Sequence, residues 1–588
     1  MQFGFTKFRR TLDPIFILDT LIDSSAANKE HLFAAFIDFK KAYDYVCRDG
    51  LFFKMLNNGM HGPILRIIYN MYKSVKCLIQ CGMDLSDAIE QHVGVRQGCV
   101  LSPCLFSLFI ADLPKYLAEK GCKGIKLHDS WVHALLYADD GALVATTADD
   151  LQLMLISLKE YCAKWRMFVN VAKTKIMVFN KVCHNTPSFE FKYDNQLIEV
   201  VEEFKYLGVV FSTDHNYECS ISYRLVQGKR LVAAWMRRCK TWMFPAHMVV
   251  NQFFTCIVPA LEYGIGLWGI GRWGKCKGIW EKVETFWRQI ARQILKMPIR
   301  APYTGIQGEL EWYPFWTRAG WQATAFLTRV TKMNNNELTR KAMHVQRSLL
   351  QNESNCWLKS FRSMICSINV GKEYWNTWWN TVNFSCDCIR VIVSNNNPNK
   401  VRERIKWEDD VLKNLQNKAM TEWMVEMHRI EAKSGVGLYK LRTYALFKND
   451  WGREPHLHII ENYKCTLLTR FRIGICPLRI ETGRYEGGNK RIPVEQRVCL
   501  CCNSNQVENE VHFLIECTCY SSLRSTFFKS IMSEMTHLGQ YYINARNSNA
   551  RELFVYIMKS TNKYIIQALA DFLYEAFEVR SNILSQIR

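Results

Sequence analysis

The stretch HALLYADDGALVATT (His133–Thr147) decides how the first third of the chain is read. HALLY and ALVATT are short, apolar and strand-like. Ala138-Asp139-Asp140-Gly141 between them is turn chemistry, so the segment predicts a β-hairpin with two adjacent carboxylates at its tip. Upstream, Phe33-Ala34-Ala35-Phe36-Ile37 is an apolar run suited to a buried strand, and it ends at Asp38. Lys175–Phe179 reads as a further strand. Leu51–Tyr72 has helical spacing broken at Gly59 and Gly62-Pro63, Leu101–Leu117 reads as one helix entered at Ser102-Pro103, and Leu151–Trp165 is an amphipathic helix. Helices mixed with hairpins predict an α+β sheet domain here.

The rest of the chain reads differently. From Ile221 to Ile430 the pattern is largely helical and rich in Trp, with loop signals at Asn334–Asn336 and Asn395–Asn399. A Cys/His segment follows between Cys499 and Cys519, and Lys563–Val579 places Ile565, Leu569, Phe572 and Ala576 on one helical face. The 588 residues imply three or four domains at ~150 residues each. A hydrophobic fraction of 48% excludes wholesale disorder. The net charge of +21 points to a polyanionic partner, nucleic acid before membrane. The 23 Cys are scattered, as in a reduced intracellular protein, with nucleus and cytoplasm both open. The first apolar run holds Asp13 and Pro14 and does not read as a signal peptide. Phe253–Ile270 is the most membrane-like stretch, but Pro259 and Glu262 make it a buried helix and turn, so no membrane partner is expected. The closing SNILSQIR holds no lipidation box.

Two places hold carboxylates where chemistry can use them: Asp38 at a strand end, and Asp139 and Asp140 at a hairpin tip. Brought to one sheet edge, they would repel each other unless cations lay between them. Mg²⁺ prefers such oxygen ligands, and two ions ~3.5–4 Å apart clamp the attacking and leaving oxygens of a phosphoryl transfer. With a basic chain, that suggests nucleotidyl transfer on nucleic acid. Taken singly, each site has a plainer reading: Asp-Asp as turn chemistry, and Asp38 as the N-cap of a KKAYDY helix.

The ordered set of motifs resembles a reverse transcriptase of non-LTR retrotransposons. FIDFKKAYD (Phe36–Asp44), GVRQGCVLSP (Gly94–Pro103), LLYADD (Leu135–Asp140), VNVAKTKIMVF (Val169–Phe179) and FKYLG (Phe204–Gly208) are similar, in order, to that family's four catalytic motifs and primer grip. The resemblance implies a palm with two catalytic Mg²⁺ ions held by Asp38 and Asp139, with Asp140 beside them. It implies that Tyr43 excludes a ribose 2′-OH, and that Gln97 and Gly98 lie against template and incoming nucleotide. Lys173 would protonate or neutralise pyrophosphate, or else be a solvated Lys before a strand. Tyr206, Leu207 and Gly208 would hold the primer end. The implied partners are an RNA template, a DNA primer or target, and deoxynucleoside triphosphates.

Arg224, Lys229, Arg230, Arg237, Arg238 and Lys240 cluster in one helical stretch, with Leu231, Val232 and Trp235 as its buried side. In the family this is the thumb, whose phosphate contacts would be sequence-blind; a solvated charged face is the other reading. Cys499-x2-Cys502-x9-His512-x4-Cys517 has the spacing of a closed, structural Zn²⁺ site, with Cys501 and Cys519 as rival ligands. Buried free thiols are its alternative. The flanking RIETGRY (Arg479–Tyr485) and EVHFLIEC (Glu510–Cys517) resemble the tail of the same family, whereas His456 and His458 read as surface or packing residues.

The expected organisation is therefore a remnant of fingers over 1–35, a palm over 36–215, a helical thumb over 216–330, a helical linker over 331–464, a zinc segment over 465–525 and C-terminal helices over 526–588. QFGFTKFRRTLDPIFIL (Gln2–Leu18) departs from the family's finger pattern at Thr6 and Phe8, leaving Arg9 and Arg10 as triphosphate-binding candidates. Earlier finger motifs and an upstream endonuclease are expected to be missing, which implies a truncated, weak or inactive polymerase. The competing expectations are a catalytically dead nucleic-acid-binding remnant, an intron-type maturase and an unexpressed pseudogene product.

Overall fold

The computed structural model describes residues 2–179, 189–241, 244–273, 277–368, 398–432, 440–484, 492–546 and 548–587. They form two compact units. The first comprises residues 1–223, 264–280 and 320–408, and the second 224–263, 281–319 and 409–588. The structure mixes helix and sheet as the patterning predicted, and among the described residues every named strand ends by Ser212.

The first unit is built on a five-stranded sheet of β1 (Leu32–Ile37), β2 (Ala134–Tyr137), β3 (Asp140–Ala145), β4 (Lys175–Phe179) and β5 (Glu199–Val200), in the order β5-β4-β1-β3-β2. β1 is central and runs antiparallel to β3 and β4. All six of its residues are buried, because both faces of the sheet are covered there. That is why it reads as a continuous apolar run and not an alternating one. Phe33, Ala35 and Ile37 enter a core shared with Leu151, Leu155 and Leu158 of the helix Ala148–Trp165. On the other face Phe36 stacks on Phe204 at 4.4 Å. A separate hairpin of β6 (Glu203–Tyr206) and β7 (Val209–Ser212) follows.

The helices of this unit include α1 (Leu12–Ala27), α2 (Ser102–Ile110), α3 (Ala148–Trp165), the start of α4 (Glu218–Thr241), α5 (Leu338–Gln351) and α6 (Trp357–Cys366). α1 is almost wholly buried, including Asp13, Asp19 and Asp23. Each acid has a partner in the same unit. Arg329 binds Asp13, His215 and Tyr217 reach Asp19, and Gln346 donates to Asp23 at 3.0 Å. Such groups are tolerated in a core only when paired in this way.

Three expectations are corrected. The predicted single helix over Leu101–Leu117 is two, Ser102–Ile110 and Leu113–Glu119, because Pro114 starts a new first turn. KKAYDY after Asp38 forms turns, not a helix, so Asp38 is not an N-cap. Leu231 is 42% exposed, not part of the buried side of its helix. The Asn334–Asn336 loop lies between helices as expected, and Asn395–Asn397 and Tyr485 fall outside the described residues. No single described helix is long and apolar enough to cross a membrane.

The second unit is chiefly helical and is tied together by buried ion pairs. Arg472 binds Glu309 at 3.0 Å, and Arg580 on the last helix, α7 (Lys563–Ile587), holds both oxygens of Glu508 at 2.7 Å. Glu508 lies between Cys502 and His512 in the chain and also accepts the Arg479 amide. Replacing Arg580 by Met leaves a carboxylate that is 1% exposed without its main counter-charge. The unfolding free energy of this unit should fall by about 3–5 kcal/mol. An unchanged urea midpoint would contradict this account.

Candidate active site

The sheet register brings the three acids together. Ile37 on β1 pairs with Gly141 on β3, so Asp38 and Asp140 are the next residues along these two paired ends. Tyr137 pairs with Asp140 across the hairpin, which leaves Ala138 and Asp139 as its two-residue turn. The turn is therefore shorter than the predicted Ala138–Gly141, and Asp140 begins the strand. Asp38 and Asp139 are half-buried and Asp140 lies at the exposed rim.

The acids sense one another. The Asp140 carboxyl is pushed up to about 6 by the protein packed around it, then by the negative charges of Asp139 and Asp38. Its access to solvent screens part of that repulsion. Three carboxylates converging on one sheet edge form a donor set suited to hard divalent cations.

Backbone contacts hold Asp38 from behind. Thr174 Oγ1 accepts its amide at 3.2 Å, and its carbonyl accepts from the Asn170 amide at 2.7 Å. Thr174 is fully buried. The same turn carries Lys173 exposed on the surface. The segment 39–46 after Asp38 is stitched to the next motif: Gly94 N donates to Val46 O at 2.9 Å, and Val95 N to Tyr43 O at 2.8 Å. Gly94 has φ +83°, and a Cβ there would lie 2.5 Å from Asp44 O, so the close approach requires glycine.

This stitching sets the side chains around the acids. Tyr43 is half-buried and stacks on Phe106 of α2 at 4.8 Å. Its hydroxyl pKa is raised by burial and then by Asp139, which places the ring beside that carboxylate. Gln97 is exposed and donates to Asp44 at 3.1 Å, while Gly98 next to it has φ +82° and open space around it. Tyr206 is buried beneath the sheet, 5.3 Å from Phe36, and donates to Leu135 O at 3.4 Å. Burial and then Asp140 raise its pKa. Leu207 and Gly208 form the tight turn that follows, both with positive φ. Arg9 pairs with Glu337 at 2.7 Å, so its charge is already compensated.

Sequence reading missed Thr174 and Gly94 as braces. Each works through backbone groups far away in the chain, which no local pattern announces.

The family model described as reverse transcriptase (RNA-dependent DNA polymerase) matches residues 1–211. Over those residues the chain is similar to a reverse transcriptase domain. It is 26% identical over 329 residues to the probable RNA-directed DNA polymerase from transposon BS of Drosophila melanogaster, covering 53% of this chain and 34% of that protein. It is 26% identical over 281 residues to the RNA-directed DNA polymerase from mobile element jockey of Drosophila funebris, covering 46% and 29%. The chain thus matches about a third of the length of these relatives. A solved telomerase structure from Candida albicans is similar at 14% identity, covering 49% of this chain and 51% of that one, with a TM-score of 0.24. The reverse transcriptase resemblance read from the motifs is borne out over the domain that holds them.

In the second unit, Cys499, Cys502, His512 and Cys517 are buried or nearly so, and their ligand atoms all lie within 4.8 Å of one another. Cys499 Sγ is 3.9 Å from Cys517 Sγ, and Cys502 Sγ is 3.4 Å from His512 Nε2. A tetrahedral zinc with bonds of ~2.3 Å to sulfur and ~2.0 Å to nitrogen spaces its ligands by about 3.5–3.8 Å, so this donor set fits. His512 Nδ1 meets Gln506 Oε1 at 2.8 Å, the outer contact that fixes a ligating imidazole. Cys501 groups instead with Cys499 and Glu508. His456 is buried against Thr469 and Glu309, a packing role.

With chelator present, Asp140→Asn should raise the thermal midpoint by about 2 °C, since removing one screened carboxylate relieves ~1 kcal/mol or less. Millimolar Mg²⁺ should close that gap by stabilising the unsubstituted protein more. A lower midpoint for Asp140→Asn in chelator would contradict mutual repulsion among the acids.

Proposed function

We propose that the chain is an RNA-directed DNA polymerase of non-LTR retrotransposon type, adding deoxynucleotides to a primer 3′-hydroxyl on an RNA template. The observation that carries this reading is the convergence of Asp38, Asp139 and Asp140 from two remote segments onto one sheet edge. Asp38 and Asp139 would hold the Mg²⁺ pair, with Asp140 beside them. When bound, the two cations supply charge neutralisation for the attacking and leaving oxygens.

The chain's own residues then do the positioning on which such catalysis rests. Tyr43 is held rigidly by Phe106 next to Asp139, where its ring would exclude a ribose 2′-OH. Gly98 leaves open space for a nucleotide or template base, and Gln97 offers both a donor and an acceptor there. The Leu207-Gly208 turn, anchored by buried Tyr206, would hold the primer end. Lys173 is exposed in the turn that precedes β4, where it would neutralise departing pyrophosphate.

The helix α4 (Glu218–Thr241) supplies sequence-blind backbone binding. Lys229, Arg230, Arg237 and Arg238 are exposed, opposite a stripe formed by Gly228, Val232, Trp235 and Cys239. Arg224 lies over the Tyr263 ring at 4.8 Å. Zn²⁺ held by Cys499, Cys502, His512 and Cys517 would brace the C-terminal segment as a structural ion.

Purified protein should extend a DNA primer on an RNA template in Mg²⁺, and Asp139→Asn should lower the rate by about 10³-fold or more. Equal, background-level activity in both would sink the polymerase reading and leave nucleic-acid binding alone. Tyr43→Ala should raise ribonucleotide incorporation by about tenfold or more relative to deoxynucleotide; unchanged sugar selection would remove Tyr43 from that role. Cys502→Ser and Cys517→Ser should each abolish stoichiometric zinc, and full zinc content in either would refute the site.

A further inference from the structure

The hairpin turn that carries Asp139 has an unusual first residue. Ala138 adopts φ +54°. In a two-residue hairpin whose first turn residue is left-handed, glycine is the ordinary occupant, because an L side chain disfavours that region. A group outside the hairpin helps to hold Ala138 there.

The outside group is the side chain of Gln2. Its Nε2 donates to Ala138 O at 3.1 Å, and its Oε1 accepts the Ala138 amide at 3.0 Å. The first bond fixes the peptide that links Ala138 to Asp139. The second fixes the peptide that links Tyr137 to Ala138. One amide therefore pins both planes flanking a single Cα, which sets φ and ψ of Ala138 together. Asp139 hangs from the first of these planes.

The neighbouring chain is shaped for this clamp. Gln2 makes a parallel bridge to Leu136, and Phe3 N donates to Leu136 O at 2.7 Å. Gly4 N donates to Gln2 Oε1 at 2.8 Å, which holds the side-chain amide in the right sense. A Cβ on Gly4 would lie 2.3 Å from Ala138 N, so only glycine lets the segment approach so closely. Gln2 is 9% exposed, and both ends of its amide are satisfied by the turn and by Gly4. A buried amide so fully matched to one conformation rewards that conformation alone.

We propose that Gln2 is a positioning residue: it clamps the Ala138 turn so that the Asp139 carboxylate stays on the shared cation basin with Asp38. Its consequence for turnover rests on the polymerase reading given above, but the clamp itself does not. A residue that merely stitched one more strand to the sheet would affect stability and leave the acids as they were.

The test uses the full chain with Gln2→Ala and Gln2→Glu. Glutamate keeps the acceptor for the Ala138 amide and loses the donor to Ala138 O. Three readouts are compared: hydrogen exchange at the Ala138 amide, Mn²⁺ affinity, and primer-extension kcat and KM. In Gln2→Ala, exchange at Ala138 should speed by at least tenfold, Mn²⁺ should bind about tenfold more weakly, and kcat should fall by at least tenfold with nucleotide KM within threefold. In Gln2→Glu, the amide should keep its protection while kcat still falls. Unchanged Ala138 exchange, or unchanged Mn²⁺ affinity in a folded Gln2→Ala protein, would overturn the proposal. Should Gln2→Ala fail to fold, Gln2→Glu decides alone: a wild-type kcat and Mn²⁺ affinity there would overturn it. If the unsubstituted protein extends no primer, the polymerase reading fails, and exchange and Mn²⁺ affinity still judge the clamp.

Discussion

Mutual repulsion among three carboxylates is the constraint around which the first unit is organised. Asp38, Asp139 and Asp140 sit where two antiparallel strands end side by side, and the Asp140 pKa is raised by burial and then by the charges of Asp139 and Asp38. A fold gains nothing in stability from such an arrangement. It persists because buried structure behind the acids holds their backbone in place: β1 is central and covered on both faces, Thr174 and Asn170 fix the Asp38 backbone, and Tyr206 closes the sheet from below. Strain and repulsion of this kind point to a site that is paid for elsewhere in the fold.

The surrounding elements follow from that constraint. The turns after Asp38 must bring Tyr43 up to Asp139, and they do so by exchanging backbone hydrogen bonds with the Gly94–Val95 segment. That exchange in turn requires glycine at position 94 and sets the base of the loop holding Gln97 and Gly98. A single network of backbone contacts thus links three motifs that lie far apart in the chain. The second unit has a different logic: its buried Glu309, Glu508 and Glu510 are matched by arginines, Glu284 is held by the Phe315 and Trp316 amides, and four Cys/His side chains gather in a set that could hold one metal ion.

Much of the sheet and its acids was legible in the sequence. The β1 run, the hairpin and Lys175–Phe179 carry apolar or alternating patterns that the strands obey, and the Cys/His spacing announced a cluster that the fold assembles. The errors are local and physical. Pro114 split a helix that apolar spacing alone joined, and Leu231 is exposed because the buried stripe of its helix runs through Gly228, Val232, Trp235 and Cys239 instead. The hairpin turn is two residues and not four, because the sheet register and not the turn propensity sets it. What the sequence could not announce were the braces, since Gln2, Thr174 and Gly94 act on backbone atoms of residues that only the fold brings near.

The central claim is that Asp38 and Asp139 share one cation-binding basin. Titrating the protein with Mn²⁺ while following its electron paramagnetic resonance signal tests this most directly. The account predicts tight binding that is lost equally in Asp38→Asn, in Asp139→Asn and in the double variant, because each acid is needed for the same ions. Mn²⁺ binding that survives either single replacement, or losses that add in the double variant as for two separate sites, would contradict it.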